Sequence, residues 1–355
     1  MDVSTINKSV ELAITAMPKP TPSNFMAEFL LTLTVLSYIW PFIFLFGMVT
    51  NGINIFVFLK AGANDNVTIL LIALACSDLI FLALISPTMC GFLIGALVRP
   101  NPWPFDARLL HFLLFWPAST AYDVSCFYAV SLGVMRCACV AMPLKFKLVF
   151  TKSRTIKWTL IMVFVAVALR LPVLTINRIS WRKDPTTNIS SVYLASWNRS
   201  LMVRINDVLN RSVIMYLAYI TMIACVFILS FKIYQASKIR QKCVAQISQQ
   251  PGQASDKAAL AQGSLSSRDL QVVKSVILVC SIFIVGQLPY IGLSTIRLIN
   301  PEVDESRSMA GLGYLINQVS ITFYYLNASV NIFIYYTCNS KYRSVFRSQL
   351  LVKCT

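Results

Sequence analysis

Four charged side chains stand inside long apolar runs of this 355-residue chain: Asp78, Asp123, Arg136 and Arg170. An ionisable group without water around it is a functional candidate, the bland alternative being a hydrogen-bonded structural role. Asp123 and Arg170 carry opposite charges and can neutralise each other if their runs lie side by side; otherwise one of them is left for a charged ligand. Ser125 and Arg136 are eleven residues apart, almost three helical turns, so they share a face about 16 Å apart. Asn327 and Asn331 share a face by the four-residue rule. Enzyme chemistry has little to work with. The ten cysteines contain no Cys-x-x-Cys pair and His111 is the single histidine, which argues against a zinc site or a Cys/His nucleophile.

The elements that must position these groups follow from composition. The chain is 57% hydrophobic and 13% charged, where a soluble domain carries roughly a quarter charged residues. Apolar blocks long enough to cross a bilayer fall at about 30–59, 67–98, 109–141, 156–176, 211–236, 270–299 and 309–336. The fold class is therefore all-α: a seven-transmembrane helix bundle. It is preceded by a tail over 1–28, occupies 29–337, and is followed by a segment over 338–355. In that last segment Tyr342, Phe346 and Leu350 recur every fourth residue beside Lys341, Arg343 and Arg347, the pattern of a short amphipathic eighth helix on the inner leaflet. Between blocks, Ala61–Asn66, Met142–Arg154 and Gln246–Ser267 read as inner loops, and Arg99–Asp106 and Asn177–Arg204 as outer ones. Pro87, Pro117, Pro172 and Pro289 lie in or near spans and bend them.

Seven crossings with the amino terminus outside put most of the +17 charge on cytoplasmic segments, the positive-inside pattern. The basicity thus reports orientation and contact with anionic lipid, and nucleic acid is not an expected partner. Sequons at Asn7, Asn188, Asn198 and Asn210 fall in the outer tail and second outer loop, whereas those at Asn66 and Asn327 fall inside or in the membrane and should stay bare. Residues 1–21 lack the apolar core of a signal peptide, so the first span is expected to direct insertion. Cys354 is a candidate for lipidation.

Asn51 in TNGINI, Asp78 in LACSDL, Arg136 in GVMRCACVAMPL, Pro289 in FIVGQLPY, and Asn331 with Tyr335 in NIFIY occur in the order found in rhodopsin-like (class A) G-protein-coupled receptors. The chain resembles that family over roughly residues 40–348. The resemblance implies a plasma-membrane receptor, not an enzyme, that binds an extracellular ligand and activates a heterotrimeric G protein by outward movement of the sixth span. It implies a sodium ion held by the network of Asn51, Asp78, Ser125, Asn327 and Asn331, and no other cofactor. Arg136, Asp269 and Tyr335 become the G-protein switch, with an Arg136–Asp269 pair holding the inner end shut, and Phe283, Gln287 and Pro289 the hinge of the sixth span. The ligand cavity is expected among Ser119, Tyr122, Tyr290, Ser294, Arg297, Ile321 and Tyr324, with Asp123 and Arg170 as further candidates.

Departures from the family pattern are informative. Met135 and Cys137 flank Arg136 where the family has an acid and a tyrosine, Gln287 replaces a tryptophan, and Ile332 replaces the proline of the seventh span. His111 heads the third span where a cysteine would stand, and the outer loop over 177–210 contains none, so the usual outer disulfide cannot form. Tyr325 and Ala118 occupy the positions of the retinal lysine and the amine-binding acid, which argues against both ligands. The run SRTIKWTLIMVFVAVALRLPVL is similar to divergent molluscan chemosensory or neuropeptide-like orphan receptors, so a peptide or an environmental chemical is the expected ligand class. A transporter or ligand-gated channel is the rival reading, against which stand the absence of internal repeats and the clustering of polar residues near the inner half.

Overall fold

The structure, a computed structural model, describes residues 23–63, 65–97, 107–183, 190–196, 199–249, 267–300, 303 and 310–351. Six helices in it are long and apolar enough to cross a membrane. The first three spans are α1 (Ser23–Ala61), α2 (Asn66–Leu97) and α3 (Ala107–Ala141). After α4 (Pro143–Val149), a short helix with proline in its first turn, the fourth span is α5 (Lys152–Leu174). The strands β1 (Asn177–Lys183) and β2 (Ser190–Ser196) and the helix α6 (Arg199–Asn206) lead to the fifth span, which begins as a π-helical segment, Asp207–Ile214, and continues as α7 (Met215–Gln249). The sixth is α8 (Ser267–Ile299).

The seventh crossing is divided into α9 (Ala310–Ser329) and α10 (Asn331–Cys338), joined at Val330, and α11 (Ser340–Phe346) follows, extended by a wider turn over Arg347–Leu351. The helical bundle is thus the expected one. Gln318, Ser320, Thr322, Ser329 and Asn331 are all buried on the seventh crossing, which lowers its apolar content because the bundle interior, not lipid, receives this face.

Two segments read as loops have structure. The second outer loop carries an antiparallel hairpin, β1 against β2, in register from Asn177 opposite Ser196 to Lys183 opposite Ser190. Ile179 falls opposite Leu194 and Trp181 opposite Val192. In the inner loop Met142–Arg154, α4 fills most of the length, and Thr151 caps α5 by accepting from the Arg154 amide at 3.4 Å. Between α1 and α2, Gly62 takes a positive φ of 84°, and Asp65 caps α2 through the Thr68 amide at 2.7 Å.

The third span is the hub: α3 packs against α2, α5, α7 and α8. Around it lies an apolar core including Phe81, Leu82, Tyr122, Met222, Cys280, Phe283 and Tyr325. A second cluster, with Val57, Phe58, Leu71, Tyr335 and Tyr342, binds α11 to the first and seventh spans, and Phe346 and Leu350 pack against it as their spacing requires. Outward faces remain greasy, with Phe42, Leu160, Phe164 and Phe227 exposed, as lipid-facing helices demand.

Candidate functional site

Asp78, 1% exposed, sits where α2, α3 and the break in the seventh crossing meet. Ser125 Oγ donates to Asp78 Oδ1 at 2.5 Å and Asn331 Nδ2 donates to Asp78 Oδ2 at 3.0 Å. A small cavity beside the carboxylate is lined by Leu74, Asp78, Ser125, Ala129, Val279, Phe283, Asn327 and Asn331. Four of the five residues of the expected network therefore share one cavity. Phe283 closes its wall from the sixth span.

Asn51 stands one step away. It is fully buried and donates through Nδ2 to the Gly47 carbonyl at 2.9 Å and the Ala328 carbonyl at 2.7 Å. Beside it Thr50 Oγ1 donates to the Ser329 carbonyl at 3.1 Å. These two carbonyls would ordinarily accept from the amides of Ile332 and Phe333, but the Phe333 amide bonds Val330 O instead. The chain lacks the family's proline here, yet the helix still breaks at Val330, because side chains of the first span accommodate the released carbonyls. Gly47 permits this approach: a methyl group on it would lie 2.5 Å from Leu82 Cδ1 and closer still to Ser329 Oγ.

Toward the start of α3 the column continues in aromatic form. Tyr122 stacks on Tyr324 with ring centroids 4.3 Å apart and planes 22° apart, and Tyr290 meets Tyr324 at 5.3 Å. Gln287, 1% exposed, donates to the Tyr122 hydroxyl, and its Oε1 has no hydrogen-bond partner among the described residues. Gln287 thus provides polar contact where the family has an indole, while Phe283 lies one turn below it and half-buried Pro289 just above. Of the other cavity candidates, Ser294 is buried and Arg297 and Ile321 are half-buried. Ser119 donates its hydroxyl to its own helix at Phe115 O, 2.8 Å away.

Asp123 and Arg170 lie apart from this column, on the side of α3 that meets α5. The guanidinium grips the carboxylate with Nε to Oδ2 at 2.5 Å and Nη2 to Oδ1 at 3.0 Å, the bidentate geometry that suits arginine. Its Nη1 donates to Asn206 Oδ1 at 2.9 Å, and Trp116 offers its ring face 6.0 Å away. Asn210 Nδ2 donates to the same Asn206 oxygen at 3.0 Å and to Leu169 O at 3.1 Å. Pairing is what the geometry has.

That network also corrects the reading of Asn210. It is not an exposed loop asparagine but is 3% exposed in the π-helical start of the fifth span, with its amide committed to two acceptors, which leaves no room for a glycan. Asn7, Asn188, Asn198 and Cys354 lie outside the described residues. Asn66, read as bare, donates to Phe150 O at 2.6 Å.

Near the end of α3 that leads into α4, Arg136 is half-buried, with Met135 beside it 2% exposed in the core. Asp269 belongs to the first turn of α8, but its side chain lies outside the described part of the structure. Tyr335 is 3% exposed and packs edge-on to Phe58 at 5.1 Å and near Tyr342 at 5.9 Å. Tyr342 donates to Asn54 Oδ1 at 2.7 Å, tying α11 to the first span. Asn54, Asn206 and Thr50 escaped notice in the sequence; Thr50 and Asn54 stand beside and three residues after the motif residue Asn51, and that proximity is the available signal for those two.

A family model described as 7 transmembrane receptor (rhodopsin family) matches residues 50–335. The chain belongs to that family. This rhodopsin-family receptor is a multi-pass membrane protein and not an enzyme. The matched span begins at Thr50 and ends at Tyr335, so the Asp78 cavity, Arg136 and the break in the seventh crossing at Val330 all lie inside it. No curated protein matches the receptor.

Proposed function

We propose that this receptor takes up a peptide or an environmental chemical from outside the cell and activates a heterotrimeric G protein when its sixth span swings outward at the inner end. The observation that carries this reading is the cavity in which Asp78, Ser125, Asn327 and Asn331 meet Phe283, because it couples the second, third, sixth and seventh spans through one small volume. A change at the Tyr122–Gln287 contact reaches Phe283 one turn along α8, and a change at Asn331 reaches Tyr335 one turn along α10. Arg136, on the same face of α3 as Ser125, then meets the G protein with Asp269 as its restraint in the resting state.

Sodium is the cofactor proposed for the cavity. Its donors are a carboxylate, a hydroxyl and two carboxamides, all hard oxygen-bearing groups, and no sulfur or imidazole is among the lining residues. Asp78, Ser125, Asn327 and Asn331 would hold the ion, which when bound supplies positive charge to the buried carboxylate and so favours the resting arrangement. The positive-inside pattern supports an outer amino terminus and a cytoplasmic carboxyl terminus at the plasma membrane, with α11 resting on lipid. The division into a tail over 1–28, a receptor domain over 29–337 and an inner segment over 338–355 belongs to the same proposal, as does the likeness to molluscan orphan receptors.

The test is G-protein dissociation in cells exposed to a panel of peptides and odorants, with Arg136→Ala as control. A ligand response lost in Arg136→Ala, with surface expression retained, is the expected result. Ligand-evoked current in cells lacking G proteins would overturn the proposal in favour of a channel.

A further inference from the structure

The inner halves of α3, α7 and α8 meet at Gly133, and three thiols meet there with them. A methyl group on Gly133 would lie 3.4 Å from Cys280 Sγ and 3.5 Å from Cys225 Sγ, so the two sulfurs border one spot from the fifth and sixth spans. Cys137, one turn further along α3, donates its thiol to the carbonyl of Cys225 at 3.5 Å. All three cysteines are free. Cys225 is 5% exposed and Cys280 fully buried, whereas Cys137 is half-buried.

Buried cysteine commonly serves as a small apolar filler. Packing alone, however, is met equally by alanine or valine and does not call for sulfur on three neighbouring helices. We propose that Cys137 and Cys225 are an oxidisable dithiol, converted by hydrogen peroxide into a disulfide that ties the third span to the fifth.

The chemistry balances with peroxide as the oxidant. Cys137, the more accessible thiol, gives up the proton it holds on the Cys225 carbonyl and attacks one peroxide oxygen; the O–O bond breaks, the sulfur becomes a sulfenic acid, and the departing hydroxide takes up that proton as water. The Cys225 sulfur then attacks the sulfenic sulfur; the S–O bond breaks, and the leaving hydroxide takes the Cys225 proton as a second water. Two thiols and one peroxide give one disulfide and two waters, with two electrons passing from sulfur to oxygen. Cys137 already touches the backbone of Cys225 through its thiol, so the two cysteines face each other across the contact of the third and fifth spans. Cys280 remains a reduced bystander. In a reducing cytosol the bond is transient, so it suits a reversible sensor and not a permanent staple.

Its effect on signalling rests on the proposed function, since a tie between the third and fifth spans restrains the cleft beside the sixth; the bond itself does not depend on that reading. The full-length receptor in lipid nanodiscs is treated with hydrogen peroxide, alkylated and digested, and its cysteine peptides are mapped by mass spectrometry. The expected result is loss of two of the ten thiols and a peptide linking Cys137 to Cys225, absent in Cys137→Ser and in Cys225→Ser and retained in Cys280→Ala. Mapping the untreated and treated wild type suffices if a variant fails to fold. Full alkylation after peroxide, sulfinic acid on Cys137 alone, or a bond to Cys280 would each overturn the proposal. Ligand-free nucleotide exchange measured on the same samples reads the signalling consequence separately.

Discussion

Asn331 Nδ2 lies 3.0 Å from Asp78 Oδ2, a contact spanning 253 positions of sequence that exists because the seventh crossing breaks at Val330, immediately before Asn331. The amide restrains one carboxylate oxygen while Ser125 restrains the other, so the charge is oriented toward the cavity that Asn327 completes.

If that cavity takes sodium, replacing sodium chloride by choline chloride lowers the thermal stability of the purified receptor, by about 1–3 kcal/mol for salt well above the dissociation constant. Asp78→Asn removes the hard carboxylate and abolishes the difference between the two salts. Equal unfolding temperatures for the wild type in both salts would sink the sodium assignment.

The Asp123–Arg170 pair has side chains only 10% and 9% exposed, so removing one partner leaves a charge stranded. Asp123→Leu or Arg170→Met alone should cost about 3–5 kcal/mol, seen as reduced surface expression and earlier thermal unfolding. The double variant should recover most of the loss, because two apolar groups of similar size need no partner. A double variant no better than the worse single one would mean that the two charges act separately.

Asp269→Ala should raise ligand-free G-protein activation. A pair between half-buried Arg136 and Asp269 would contribute about 0–1 kcal/mol, enough to bias a balanced switch without locking it. Unchanged basal activity in a variant expressed as well as the wild type removes Asp269 from the switch.

Tyr342 anchors α11 through its hydroxyl on Asn54 and its ring on Phe58, 5.1 Å between centroids. Tyr342→Phe deletes one buried hydrogen bond and should cost about 1 kcal/mol, whereas Tyr342→Ala also opens a cavity and should cost about 3–5 kcal/mol. Faster amide exchange over residues 340–351, graded in that order, is the readout. Burial pushes the Tyr342 phenol above its ordinary value, so this contribution is fully present below about pH 10 and fades only as pH rises through the raised pKa. Exchange that speeds up between neutral pH and pH 9 beyond the intrinsic rate would contradict this anchor.

The sequence by itself determined the number of crossings and the faces on which Asp78, Ser125, Asn327 and Asn331 fall. Apolar length and helical period are local properties, and the surrounding lipid enforces both. It also determined the stripe of Tyr342, Phe346 and Leu350 that packs on the inner ends of the bundle. Only the tertiary structure decided that Arg170 meets Asp123 with Asn206 as a third member, that Asn210 faces inward, and that the seventh helix divides without a proline. Those outcomes depend on which helices are neighbours. Asn206, at the end of α6, and Asn210, in the π-helical start of the fifth span, meet the fourth, and Thr50 and Asn51 of the first span take the carbonyls that the broken helix releases. A polar group in the bundle interior is stabilised by whatever donor or acceptor the packing brings within about 3 Å. No local pattern encodes that partner.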